Sequence, residues 1–198
     1  MRSKSYLFFI IFLFFSCKDF TTKKLSDSEK QELEFRIKNE MDSINFYWNV
    51  MAKSMDEELK NIKHLIDLIA VVEGCDSVNQ KKALLLFQDF SKIKYTMKMI
   101  SASDSIDYFD NKMTEIIEKT FEAARNSPNL KMYPLYEQLV NEIKKADDEI
   151  LHLRIRYDEN VFGFRKLKEE NKKLLSQLGE NYKNLPEFPV FTITPTTK

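Results

Sequence analysis

From Tyr136 onward, apolar residues recur at Leu139, Ile143, Ala146, Ile150, Leu153, Tyr157, Phe164, Leu167, Leu174 and Leu178, and Asn160 and Asn171 fill the two places left in the series. The steps alternate between three and four. A 3.5-residue period held over about 40 residues is the signature of a coiled-coil seam, because only that spacing keeps one stripe facing a partner helix. Gly179 marks the expected end of this helix. Asparagine at a seam position is expected to set register at some cost in stability.

A second long seam precedes it. Leu33, Ile37, Met41, Ile44, Trp48, Met51, Met55, Leu59, Ile62, Ile66 and Ile69 are separated by three or four residues throughout. The stretch SDSE (Ser26 to Glu29) supplies a capping residue and acids that suit a helix N-terminus. Gly74 closes the segment, which predicts one helix of about 45 residues and almost 70 Å. Between the two seams lie two shorter helical patterns. One runs from about Ser77 to Ile100, with Leu84, Leu85, Phe87, Phe90, Ile93 and Met97 in its stripe. SASDS (Ser101 to Ser105) interrupts the pattern, and Ile106, Phe109, Met113, Ile116, Ile117 and Phe121 form the next, which ends before Pro128. The chain has three glycines and five prolines, and every proline lies beyond residue 127, so little in the first two thirds would break a helix. The fold class expected is all-α: an antiparallel four-helix bundle whose first and fourth helices are long and whose middle two are short. The short pair should pack only on the far halves of the long pair, leaving a two-helix coiled coil at the other end. In that arrangement Trp48 faces Tyr157.

The N-terminus reads as an address. Arg2 and Lys4 precede ten apolar residues, Tyr6 to Phe15, the n- and h-regions of a signal peptide. As a helix this run rises about 15 Å, half of the hydrocarbon core, so it is too short to span. FLFFSC then resembles a bacterial lipobox, with Ser16 before the cysteine. Cys17 is the expected lipidation site, carrying diacylglycerol and an amide-linked fatty acid such as palmitate, and the first residue of the mature chain. Two or three acyl chains give a stable anchor where one is marginal. The organisation expected is a lipoprotein signal peptide at 1–16, a lipidated tether at 17–26, the bundle at 27–179 and an extended tail at 180–198. The location implied is the bacterial cell envelope, facing periplasm or cell exterior. For the tail, with Pro186 and Pro189, folding back to cap the open end of the coiled coil is preferred to insertion into lipid.

Charge and chemistry exclude more than they assign. The 31 basic and 31 acidic residues balance, and removing 1–16 leaves 29 against 31. With no basic block to neutralise a run of phosphates, nucleic acid is not an expected partner. Cys75, in GCDS, has no cysteine left to pair with once Cys17 is acylated, and it reads as an inert loop thiol. EILH (Glu149 to His152) is one half of a di-iron pattern, but His64 has Asn61 three residues before it, and Glu149 and His152 lie off the seam. They read as a solvated face, as do Asp147 and Asp148. No catalytic, cofactor-binding or metal-ligating set is therefore expected.

Several segments carry a resemblance. PNLK (Pro128 to Lys131), followed without gaps by Leu139, Ile143, Ile150, Arg154, Arg156, Tyr157 and Val161, resembles the C-terminal signature of LemA proteins. Trp48, IKHLI (Ile62 to Ile66) and PEFPVF (Pro186 to Phe191) are similar to further family segments. Lys63 stands where the family has proline, Asp158 where it has asparagine, and Phe164 with Arg165 where it has Tyr-Asn. The resemblance implies a membrane-attached helical bundle and carries no catalytic set. The function expected is a non-enzymatic interaction or scaffolding module with an envelope protein partner. The alternatives are a metal-binding or enzymatic bundle, and a membrane-shaping protein.

Overall fold

The computed structural model describes residues 24–191, and every regular element among them is helical. Helix α1 (Asp27–Val71) has 45 residues and begins in a capping box: Ser26 Oγ accepts from the Glu29 amide, and the Glu29 carboxylate accepts from the Ser26 amide. Helices α2 (Ser77–Phe90) and α3 (Met97–Ile100) follow, then α4 (Ser103–Ala124), α5 (Pro134–Glu170) and α6 (Lys172–Leu175). The long helices α1 and α5 pack antiparallel along most of their length, α2 packs on α4, and the molecule is a bundle of four main helices.

Two cores are stacked along the long pair. The first is a four-helix core, in which α1 from Met51 to Ile69 and α5 from Leu139 to Ile150 meet Ala83 and Phe90 of α2 and Phe109, Met113, Ile116 and Ala124 of α4. The second belongs essentially to two helices, with Leu33, Ile37 and Ile44 of α1 against Tyr157, Val161, Phe164 and Leu167 of α5. All eleven residues of the expected α1 seam are buried or half-buried. Trp48 meets Tyr157 edge-to-face with ring centroids 6.1 Å apart, as the antiparallel register requires. Leu25 is buried in the two-helix core, and its amide donates to Gln177 Oε1 at 2.9 Å, tying the start of α1 to the segment beyond α5.

Four expectations need correction. The helix expected from Ser77 to Ile100 stops at Phe90: residues 91–96 form a turn and an extended stretch, and Thr96 (φ −133°, ψ 148°) caps α3. The break lets Tyr95 turn inward, where it stacks on Trp48 at 5.4 Å and packs on Phe109 at 4.9 Å. Leu85, expected in the stripe, is 62% exposed, while Gln80 and Ala83 are buried in its place. The last long helix ends at Glu170, not at Gly179: the Asn171 backbone leaves helical geometry (φ −109°, ψ 11°), and the chain restarts as α6. The bonds that the Asn160 and Asn171 side chains make, to the Arg156 carbonyl at 2.7 Å and the Leu167 carbonyl at 2.9 Å, run within their own helix and not across the seam.

Residues beyond Gly179 (φ 118°) fold back along α5. After a 3-10 turn at Glu180–Tyr182 the chain runs without regular structure. Phe188 is buried against Phe164 at 5.5 Å, its carbonyl accepts from Arg165 Nη2 at 2.7 Å, and Glu187 pairs with Lys168. The Phe191 amide donates to the buried Asp158 carboxylate at 2.9 Å. The tail covers this end of the long pair together with Ile100 of α3 and Leu175 of α6.

Candidate functional site

The most polar part of the interior lies at the waist, where the four-helix core gives way to the two-helix core. Five segments meet there. Helix α1 brings Trp48, Met55 and Glu58, the 91–96 stretch brings Tyr95, α4 brings Phe109 and Asp110, α5 brings Arg154 and Tyr157, and the tail brings Phe191. At the centre, Arg154 Nη1 and Nη2 donate to the two carboxylate oxygens of Asp110, each at 2.7 Å. This two-pronged, charge-assisted pairing fixes both the distance and the plane of the guanidinium. Its Cζ lies 4.9 Å from the Phe191 ring centroid and 6.0 Å from that of Tyr95, so π-faces carry part of the charge that water no longer solvates. Burial works against the Arg154 charge, but the bonds to Asp110 and the neighbouring Tyr95 outweigh it and hold its pKa above the ordinary value.

Glu58 has no such compensation. It is 2% exposed and its Oε1 has no hydrogen-bond partner. Burial, reinforced by Asp147 and Asp110 and opposed by Arg154, pushes its pKa up to about 7. Tyr157 is fully buried with its hydroxyl unpartnered, and burial raises its pKa as well. Burial also pushes the Tyr95 phenol up to about 12, with Arg154 pulling the other way. Buried polar atoms without partners are few in folded proteins and point to a ligand, a water or a working group. Beside Glu58 opens a cavity of about 350 Å³, lined by Met55, Met113, Ile117 and Ile150 and by Glu58, Asp110, Glu118, Asp147, Asp148 and Arg154. It holds five carboxylates against one cation.

The sequence-picked residues fall elsewhere or act structurally. Cys17 lies outside the described residues. Cys75 is a half-buried free thiol in the turn after α1, where Gly74 takes φ 84°. Glu149, His152 and His64 are all exposed, and no group of three or more His, Cys, Asp or Glu among the described residues is placed to hold a metal. The PNLK segment is a clamp. Ser127 Oγ and Asn129 Nδ2 both donate to the Glu73 carbonyl at 3.1 Å, while Leu130 is 1% exposed, so this turn ties the end of α1 to the start of α5. Within the signature of α5, Arg156 is an exposed partner of Glu159, whereas Arg154 is the centre of the waist.

Glu58, Asp110 and Tyr95 were not anticipated. A signal for Glu58 existed: it lies three residues after Met55 and four before Ile62, an acid at a position equivalent to the seam. Asp110 and Tyr95 gave none, since the first sits one residue from the stripe of α4 and the second in a stretch read as continuous helix. No protein-family model matches the chain, and no curated protein or solved structure does either.

Proposed function

We propose that this chain is a LemA-like lipoprotein of the bacterial cell envelope, anchored through lipid on Cys17, whose main helices alternate up and down to carry a non-enzymatic interaction module. The observation that carries the reading is the far end of the rod. Val71, Val78, Met132, Tyr133 and Leu135 are all exposed there, Val71 by 77% and Met132 by 71%. They come from the end of α1, the start of α2 and the approach to α5, three segments held together by the clamp on Glu73. Exposed apolar side chains gathered at one end are the natural candidates for a contact surface. It lies at the opposite end of α1 from Leu25, and so stands on the order of 65 Å from an N-terminal anchor. No helix among the described residues is long and apolar enough to cross a membrane.

The test has two arms. Cys17→Ala should abolish acylation and leave uncleaved precursor. A photo-reactive residue at Met132 should give a discrete protein adduct in intact cells that Leu135→Asp removes, while the same probe at Gln31, near the anchor, should not. Acylation of the Cys17→Ala variant would refute the anchor, and indistinguishable adducts at Met132 and Gln31 would refute the tip.

A further inference from the structure

The waist cavity presents a graded set of acids. Glu58 is at its inner wall, buried and with an oxygen that no protein group satisfies. Asp147, Asp148 and Glu118 are exposed and rim it from α5 and α4. The one cation in the lining, Arg154, gives both terminal nitrogens to Asp110 and keeps only its buried Nε without a partner, so a single guanidinium stands against five carboxylates. Most of the rest of the lining is apolar: Met55, Phe109, Met113, Ile117, Ile150 and Leu151.

Each feature narrows the ligand. An anion would meet uncompensated carboxylates, and a neutral apolar molecule would leave Glu58 unpaired and still further from water. A bare divalent cation needs several oxygens converging at about 2.0–2.6 Å; no such cluster is present among the described residues. What remains is a cation with an apolar body and charge at more than one point. We propose that this cavity binds an aliphatic diamine or longer polyamine, one ammonium at Glu58, the methylene chain along Met55, Met113, Ile117 and Ile150, and a second ammonium at the rim acids Asp147 and Asp148. A volume of about 350 Å³ accommodates such a chain. An ammonium donates three hydrogen bonds and so supplies the partner that Glu58 Oε1 lacks. Binding also depends on the ionisation of Glu58, which faces Asp110 on α4 and Asp147 and Arg154 on α5. The ligand should therefore bind more tightly at pH 8 than at pH 6.

The proposal is independent of the tip contact and fails separately from it. The experiment is calorimetric titration of the full-length protein in detergent with spermidine and with cadaverine at pH 8, magnesium chloride serving as the charge control. Saturable one-to-one binding is expected for the amines, weakened about tenfold or more by Glu58→Gln and less by Asp147→Asn. Glu149→Gln, on the neighbouring exposed face, should leave it unchanged, and circular dichroism of each variant verifies that the helices are intact. Absence of saturable amine binding by the folded protein would overturn the proposal. So would magnesium competing at equal charge, or equal affinity of wild type and Glu58→Gln.

Discussion

The two halves of the rod bury the same two helices by different means. In the far half, α2 and α4 close around α1 and α5, so an acid such as Glu58 is sealed by neighbours on several sides. In the near half no further long helix arrives. Leu25 before α1, Ile100 of α3, Leu175 of α6 and Phe188 in the tail complete the core there, each with under a tenth of its surface exposed. A long seam thus specifies a pair of helices and not what covers the pair. Short elements, poorly marked in the sequence, do that part of the work, and the transition between the two coverings is where the polar cavity opens.

The comparison can be broken most directly by one cavity mutation in each half. Phe164→Ala in the near half should cost about 3–5 kcal/mol and Ile150→Ala in the far half about 2–5, whereas the exposed Glu149→Ala should stay within about 0.5. Hydrogen exchange distinguishes local from global effects. Phe164→Ala should speed exchange near Ile37, Ile44 and Leu167 more than near Ile62 and Ile66. Uniform acceleration along α1 would mean that the halves unfold as one, and the distinction between them would be only geometric.

Removing the tail after Gly179 comes next. It takes away the buried Phe188 ring, the acceptor of Arg165 and the amide that Asp158 holds, together roughly 3 kcal/mol. For a chain of this length that corresponds to a fall in Tm of about 6–12 °C. Liposome binding by the non-acylated protein should not change. Loss of liposome binding with an unchanged Tm would assign the tail to lipid and leave the near half to its two helices alone.

A smaller effect sharpens the far half. The folded state holds a proton on Glu58 up to about pH 7, whereas the group ordinarily releases it near 4.5. Between those values the folded protein binds more protons than the unfolded chain, so this residue makes stability fall as pH rises, with no penalty below the window and a constant one above it. The full penalty is roughly 1–3 kcal/mol. Glu58→Gln should therefore match wild type near pH 4.5 and exceed it above pH 7 by about that amount, as read by denaturant unfolding across the range. A pH profile parallel to wild type would mean that Glu58 is solvated or paired in solution.

The same contrast explains what could be read from the sequence. The α1 seam and the Trp48–Tyr157 contact were legible, because a heptad stripe and an antiparallel partner fix register over long distances. The end at Phe90 was not, since nothing in SKIKYT forbids a helix. The break is driven by where Tyr95 goes, between Trp48 and Phe109 and beside Arg154, and those partners lie far away in sequence. Asp158 follows the same rule. Its position after Tyr157 is visible, but its use by the Phe191 amide depends on a tail whose path only the folded chain defines. The candidate site was hidden for a related reason: three of its five segments, the 91–96 stretch, α4 and the tail, reach the long pair only through tertiary docking.

The smallest effect probes how closely the two helices approach in the near half. Gly163 lies within α5 with ordinary helical φ, and a Cβ added there would come within 3.3 Å of Glu40 Oε2 on α1 and meet nothing else at that range. That distance is tight, but the neighbour is the far end of a half-buried glutamate, which can turn aside by a few tenths of an ångström. Glycine inside a helix costs about 1 kcal/mol relative to alanine, through the backbone freedom it loses on folding. Gly163→Ala should therefore raise stability by about 0.5–1 kcal/mol, and combination with Glu40→Ala should add nothing further to the benefit at 163. A destabilised Gly163→Ala that Glu40→Ala rescues would place the clash at the carboxylate. Destabilisation without rescue would show the backbones of α1 and α5 to be closer than a side chain allows, and the near half would then be held by helix approach more than by its borrowed cover.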